Sequence, residues 1–391
     1  MRPQTIVDRT GVLGQGSGRG PGPLPPLARE SYLIGHVAER KTLKDVALEA
    51  GVHVSTASRA LNPLASSVVS RETGERIRAV ARRLGYQPHP LARGLRTNQT
   101  MSVGVVIPDL ENPLFGPLIA GAQSVLSSEG YSVLIGNAER GGIDTEEVVN
   151  DLLAHKVDGL LLAAASRSDT WISRLAEQGV ATVLVNRTAD SPSVPAILCD
   201  DHSGIGLAVQ HLAELGHKRI GHVAGPSSVS TGLSRRQSFL SWMRILDFAP
   251  DPDLVEESTW FQVESGYEAG LRLLQRRPDV TAIVAGNDLI ALGCYRAIRR
   301  LGKRVATDIS VTGYNDIPLL DLMEPSMTTV RVPYRQMGTQ AAVALLESMR
   351  GSDRLTSSIK LTPSMVVRAS TARPAELDWI GDPRPLGSVG L

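Results

Sequence analysis

From Ser102 onward, short apolar runs alternate with helical stretches, and that alternation restricts the fold more than any other feature of the chain. SVGVVIP (102–108), YSVLIGN (131–137), VDGLLLA (157–163) and ATVLVN (181–186) are bounded by turn residues and separated by helical patterns around 114–129, 144–156 and 170–178. A second series places RIGHVAG (219–225), TAIVAGN (281–287) and ISVTGYN (309–315) between helical patterns around 203–215, 231–247, 265–276 and 288–301. Continuously apolar strands joined by helices specify parallel sheets covered on both faces. Two such series are too much for one hydrophobic core, so the spacing predicts two similar α/β lobes.

Ahead of this body lies a different pattern. In TLKDVALEAGVHVSTASRALN, Leu43, Val46, Ala47 and Ala50 fall at i, i+3, i+4 and i+7, one face of a helix. Thr42 stands in front with Asp45 three residues on, a hydroxyl cap and a carboxylate at the positive helix end. Gly51 ends that helix, because glycine takes the left-handed turn at little cost. A second helix puts Val54, Ala57 and Leu61 on one face and Ser55, Thr56, Ser58 and Arg59 mostly on the other. That second face is small and rich in hydroxyls. It suits close approach to a DNA major groove, with hydroxyls and arginine reaching base edges or phosphates. Two capped helices about a glycine also occur in many ordinary helical domains, so the neighbouring sequence has to decide.

Ser70 caps a third helix in which Ile77, Val80, Ala81 and Leu84 repeat the helical spacing. Arg71, Arg76, Arg78, Arg82 and Arg83 occupy its other faces. Between Lys41 and Thr100 the balance of charge is +6, in a chain whose total is only +1. A basic module on a mildly acidic body is the electrostatic footprint of phosphate binding.

The segments TLKDVALEAGVHVSTASRALN and ERIRAVARRLGYQPHPLARGLRT resemble the headpiece and hinge of the lactose/galactose-repressor (LacI/GalR) family of bacterial transcription regulators. The resemblance continues through residues 41 to 371. It implies an α + α/β architecture: an N-terminal helix-turn-helix headpiece with a hinge helix, then a two-lobed periplasmic-binding-protein-like body. By that resemblance the helix from Val54 is the recognition helix. Val54 and Ser55 match base-reading positions, Thr56, Ser58 and Arg59 match more constant DNA contacts, and Thr42, Leu43 and Asn62 complete the DNA-facing set. His53 stands where the family more often has serine ahead of this helix, so the usual hydroxyl cap is missing there. PHPLARGLRT (88–97) matches the hinge, in which a short helix forms on the operator and inserts a leucine into the minor groove. The matching residue is Leu95, flanked by Arg93 and Arg96. A helix with Gly94 inside and prolines at 88 and 90 is too weak to persist alone, so folding on DNA is expected.

The division this implies is a disordered Gly/Pro-rich tail (1–39), a headpiece (41–88), a hinge (89–99), a body (101–371) and a flexible tail (372–391). Lobe one takes about 101–199 and 332–360, lobe two about 200–330 and 361–371, with crossings near 199–200, 331 and 361. The tail GQGSGRGPGPLPP cannot bury a core. Its glycines follow no strand, so they are no phosphate loop. No apolar signal-peptide core and no run of eighteen apolar residues occurs, and a cytoplasmic protein without membrane partners is expected. Cys199 and Cys294 form no disulfide framework, and histidines 202, 211, 217 and 222 fit helix or strand faces; neither a metal site nor a cofactor is expected.

Ligands of such sheets bind beyond the carboxyl ends of strands. Those ends carry Asp109, Asn112 and Phe115; Asn186 and Arg187; Trp260 and Phe261; Asn287 and Asp288; and Asn315, with Arg235 opening a nearby helix. Amides and carboxylates pair with hydroxyls, an arginine forks two donors onto one group, and an aromatic ring stacks on an apolar sugar face. Any one of these residues can equally be a turn-forming Asx. Asn287, Arg235 and Phe261 match the family's effector site, whereas Asn186 and Asn315 stand where sugar-binding members often have aspartate. A sugar or sugar derivative is the first expectation for the effector, a purine or nucleoside the second. No catalytic set stands out. A sugar or nucleoside enzyme and a solute-binding protein on the same α/β body are the alternatives, and neither accounts for residues 42 to 96. A pseudo-palindromic operator of double-stranded DNA, bound by a homodimer, completes the expected partners. The C-terminal tail has no leucine heptads to support a larger assembly.

Overall fold

The computed structural model describes residues 41–61, 69–86, 99–138, 144–248, 251–351 and 358–374. They fall into two compact units, one ending at 86 and the other beginning at 99.

The first unit has three helices: α1 (Leu43–Glu49), α2 (Val54–Ala60) and α3 (Arg71–Arg83). Their apolar faces meet in a core of Val46, Ala47, Ala50, Ala57, Ala60, Ile77, Val80 and Ala81. Most of these are alanines, so the helices approach closely and Ile77 supplies the bulk. Truncating such a fully buried isoleucine to alanine costs about 2–5 kcal/mol. The α1 start is a complete capping box, with the Thr42 side chain accepting from the Asp45 N–H and the Thr42 N–H donating to Asp45 at 2.7 Å. That backbone donor holds the Asp45 carboxyl below its ordinary range. Gly51 adopts φ +61° with open space where a Cβ would sit, so its requirement is conformational rather than steric. Ser70 caps α3 by accepting from the Thr73 N–H.

The second unit contains two six-stranded sheets. One sheet has β1 (Ser102–Ile107), β2 (Ser132–Asn137), β3 (Gly159–Leu162), β4 (Thr182–Val185), β5 (Ala196–Cys199) and β11 (Ile359–Leu361), in the order β11-β5-β4-β3-β1-β2. The other has β6 (Ile220–Ala224), β7 (Val255–Glu257), β8 (Ala282–Ala285), β9 (Ser310–Asn315), β10 (Thr328–Arg331) and β12 (Ser364–Val366), in the order β12-β10-β9-β8-β6-β7. Every pairing is parallel except β10 with β12. Central strands β1, β3, β4, β8 and β9 are buried along their whole length, which is why they read as unbroken apolar runs. The edge strand β2 instead leaves Leu134 and Ile135 exposed.

Helices on the first sheet are α4 (Phe115–Ser128), α5 (Thr145–Ala154) and α6 (Trp171–Glu177). On the second they are α7 (Asp201–Glu214), α8 (Ser230–Ile245), α9 (Val263–Arg276) and α10 (Asp288–Arg300). The last helix, α11 (Tyr334–Met349), follows β10 of the second sheet and packs against α4, β3, β4 and β5 of the first. The chain thus passes from the first sheet to the second after β5, back after β10, and across again between β11 and β12. The strands and helices expected from the sequence lie within one or two residues of those observed, but no element was expected over 316–360. That span holds β10, α11 and the start of β11, and with β12 just beyond it they complete the two sheets.

Both cysteines are free and buried, and burial pushes each thiol up to about 12. Two of the histidines are held by structural hydrogen bonds. His217 lies between Thr281, Ser310 and the Ala372 carbonyl, and His222 stacks on Phe239 with Nδ1 2.8 Å from the Val284 carbonyl. Among the described residues no group of acidic, His or Cys side chains could hold a metal ion, and no helix is long and apolar enough to cross a membrane.

Candidate functional site: an exposed helix face and an interlobe cleft

The outer face of α2 is open. Ser55 and Arg59 are exposed, Thr56 and Ser58 half-buried, and Ala57 and Ala60 turn inward. Val54 does two things: it leads the helix and also packs against the three-helix core, as does Leu43 of α1. Thr42 is exposed and occupied by its cap. The missing serine ahead of α2 is replaced in function by the imidazole of His53. Its Nδ1 accepts from the Ser55 N–H at 3.3 Å and lies 2.8 Å from the Ser55 hydroxyl. Histidine does not belong to the usual capping residues, so this cap could not be read from residue type. Asn62, Arg93, Leu95 and Arg96 lie outside the described residues, and with them the hinge except Gln99.

In the larger unit, all nine effector-site residues expected from strand ends line one continuous cleft. Its outer chamber, about 370 Å³, is bounded by Asp109, Asn112, Arg187 and Phe261 together with Pro108, Ser166, Pro226, Ser228, Val229, Trp260 and Gln262. Asn112, Arg187 and Phe261 also border a narrow inner recess of about 20 Å³, whose other walls are Leu114, Phe115, Asn186, Thr231, Arg235, Asn287, Asn315 and Tyr334. Both lobes contribute. At the rim they are already bonded together: the Arg167 guanidinium donates to the Ser227 carbonyl at 3.0 Å, and the Thr188 N–H to the Ser230 hydroxyl at 2.9 Å.

Several expected ligand groups are partly spent on the protein itself. The Asn287 amide oxygen caps α10 by accepting from the Ile290 N–H at 2.8 Å. The Asn315 oxygen accepts from the Tyr334 hydroxyl at 2.8 Å, and the Asn112 oxygen from the Leu114 N–H at 3.3 Å. The Asp109 carboxylate accepts from the Glu111 N–H at 2.9 Å. The turn-forming alternative for these residues is therefore also true, and Asn315 sits at φ +122°. Asn186 differs from the others: its amide oxygen is buried without a hydrogen-bond partner. An unsatisfied acceptor of this kind costs about 1–3 kcal/mol, and a donor brought into the recess relieves it.

Much of the Arg235 guanidinium is likewise engaged by the protein itself. Only 3% exposed, it donates through Nε to Asp201 at 3.0 Å and through Nη1 to the Gly286 carbonyl at 2.8 Å. Its guanidinium lies 4.0 Å from the Tyr314 ring centroid, and the Tyr314 hydroxyl donates to the same Asp201 oxygen at 2.8 Å. Burial alone would lower the Arg235 pKa, but Asp201 and the neighbouring tyrosines outweigh it and raise the value. Arg235 is thus a buried structural cation, and Nη2 alone lies outside these two bonds. Asp288, next to Asn287, is likewise structural. It accepts from Thr329 at 2.6 Å and from the Ile317 N–H at 2.9 Å, and burial pushes its carboxyl up to about 6. Tyr334 and Thr231 of the recess were missed by the sequence reading. Tyr334 follows the end of β10, so the strand-end rule would have pointed to it had β10 been recognised.

Residues 42–89 match the model of the bacterial regulatory proteins of the lacI family, and residues 209–371 that of the periplasmic binding protein-like domain. The HTH-type transcriptional repressor CytR of Escherichia coli (strain K12) is 31% identical over 332 residues, 84% of this chain and 96% of that protein. A crystal structure of the lac repressor dimer bound to operator and the anti-inducer ONPF superposes with a TM-score of 0.75 at 28% identity, covering 85% of this chain and all of that one. A transcriptional regulator CelR–cellobiose complex gives 0.65 at 32% identity, with the same coverage. The chain belongs to the LacI family of bacterial regulatory proteins. It is a ligand-responsive DNA-binding transcriptional repressor with a periplasmic-binding-protein-like body, and not an enzyme.

Proposed function

We propose that the exposed face of α2 reads a half-site in the major groove and that the interlobe cleft binds a sugar or sugar derivative that changes operator affinity. In this reading Val54 and Ser55 contact bases, while Thr56, Ser58 and Arg59, with Thr42 and Leu43 at the start of α1, fix the helix on the backbone. Asn62, Arg93, Leu95 and Arg96 act in the same interface, with residues 89–99 as the hinge between a headpiece (41–88) and a body (101–371). One α2 reads one half-site, so two copies meet a pseudo-palindromic operator in the cytoplasm.

The observation that carries this reading is the convergence of polar and aromatic strand ends from both lobes on one cleft, in a unit separate from the three helices. A hydroxyl-rich ligand supplies donors for the Asn186 oxygen and acceptors for amide and guanidinium N–H groups. The cellobiose bound to one relative is consistent with such a ligand. Coupling between the two sites is reciprocal and typically about 1–3 kcal/mol. The test is a gel-shift titration on an operator recovered from a random DNA pool, with and without each sugar of a panel. Arg59→Ala is expected to lower specific operator affinity by about 10–100-fold with little change in stability. A sugar that binds the body and leaves operator affinity unchanged would sink the effector assignment.

A further inference from the structure

The first side chains of α2 share more than a cap. The Nδ1 of His53 meets two groups of Ser55, the backbone N–H at 3.3 Å and the hydroxyl oxygen at 2.8 Å. A backbone N–H can only donate, so Nδ1 presents its lone pair there and the ring proton of the neutral imidazole sits on Nε2. The opposite tautomer would set one N–H against another. With Nδ1 fixed as an acceptor, the hydroxyl 2.8 Å away bonds to it only by donating. Ser55 has one hydroxyl proton, and this contact uses it. Both residues are exposed, so Ser55 offers its surroundings oxygen lone pairs and no donor.

From this juxtaposition we infer that His53 is a positioning residue for operator specificity. It holds the Ser55 hydroxyl as an acceptor, so that Ser55 selects a base carrying an amino group, adenine or cytosine, on the strand it faces. In the major groove adenine presents its N6 amino group and cytosine its N4 amino group, whereas guanine O6 and thymine O4 are acceptors. A freely turning serine hydroxyl serves either kind and discriminates poorly. A serine in place of His53 would also cap a helix, but its own hydroxyl is free to turn and imposes no direction on Ser55. Arg59, one turn along the same helix, carries donors only. The exposed face thus divides its duties: arginine meets acceptors, and the held hydroxyl meets a donor. This deepens the reading in which Ser55 contacts a base and rests on it.

The experiment is selection of the full-length protein on a pool of random DNA duplexes. It is run for the parent and for Ser55→Ala, His53→Ser and His53→Asn, and affinities are then measured on duplexes changed at single positions. In the parent, one position of each half-site is expected to favour adenine or cytosine over guanine and thymine by about fivefold or more, and Ser55→Ala is expected to flatten that position. His53→Ser keeps a good capping residue, and should reduce the same preference to within about twofold while the other positions keep theirs. Loss of the cap alone would weaken every position together. His53→Asn caps as well and supplies an amide oxygen as acceptor in place of Nδ1, so the preference should return. The inference is overturned if the position that depends on Ser55 favours guanine or thymine, if its preference survives His53→Ser, or if His53→Asn leaves it as flat as His53→Ser does. In each of these cases base reading by α2 still stands. A Ser55→Ala profile identical to that of the parent removes the base contact itself, and the inference with it.

Discussion

The three-helix unit and the interlobe cleft use functional side chains in opposite ways. On α2 the residues that face outward, Ser55 and Arg59, are exposed, while stability comes from a separate inward face of alanines and Ile77. In the cleft, the residues that face the cavity also hold the body's own elements in place. Asn287 caps α10, Asn315 anchors Tyr334, and Arg235 neutralises Asp201. Recognition and folding are therefore separable in the small unit and entangled in the large one. Substitutions in the cleft report on both at once unless they are chosen with the hydrogen bonds in view.

The largest expected effect breaks this comparison at its most entangled point. Arg235→Ala leaves the Asp201 carboxylate buried and unpaired, and should lower body stability in urea unfolding by about 3–5 kcal/mol. A loss below about 1 kcal/mol would show that Arg235 is a ligand group rather than a structural cation.

Next comes a pH effect from two buried groups. Burial pushes His222 down to about 4, so its imidazole stays neutral in the folded protein while it protonates in the unfolded chain. His222 thus withdraws stability as pH falls from about 6.5 to about 4. Asp288 is raised to about 6, binds its proton earlier in the folded state, and returns stability as pH falls from about 6 to about 3.8. The two contributions are each about 3 kcal/mol and of opposite sign. Asp288→Asn removes one of them, so the variant should lose about 3 kcal/mol more than the parent protein between pH 6.5 and 4, measured by urea unfolding at each pH. Parallel pH profiles would show that Asp288 does not titrate in this window.

Asn186→Gly sharpens the comparison from the other side. It relieves a positive φ and removes a buried, unpartnered acceptor, so stability should hold or rise by about 1 kcal/mol while sugar affinity in the cleft falls by about tenfold. Unchanged affinity in calorimetry would mean that the Asn186 oxygen does not meet the ligand. The smallest effect lies in the separable unit: His53→Ala removes the cap of α2 and should cost that unit about 1 kcal/mol in thermal unfolding, where a wholly neutral result would deny the imidazole its capping role.

Much of this fold was legible because its signals are local. Helical spacing in α1 to α3, the caps Thr42 and Ser70, and the buried central strands each depend on residues within a turn or two of one another. The cleft was legible as a location, since strand carboxyl ends in parallel sheets converge. The duties of its side chains were not, because they depend on partners far away in sequence. Nothing near Arg235 announces Asp201, 34 residues earlier, or Tyr314, and nothing near Asn315 announces the hydroxyl of Tyr334. The segment 316–360 went unassigned because its strands, TTVR of β10 and IKL of β11, mix polar with apolar residues and form no continuous apolar run. Its long helix, α11, has only a weakly one-sided apolar pattern, as expected of a helix that contacts α4 on one side and β3, β4 and β5 on another.

That helix has a mechanical consequence. Gly121 of α4 and Gly338 of α11 let the two backbones touch: a Cβ on Gly338 would fall 1.9 Å from the Leu118 carbonyl oxygen, and one on Gly121 2.0 Å from that of Arg335. With no compressible side chain between them, the pair slides only as a unit. α11 starts at Tyr334 in the recess and runs about 24 Å to Ser348 and Met349, which share a cavity wall with Gln99 and Thr100, the first described residues of the body. One rigid helix therefore spans from the recess to the segment by which the chain enters the body.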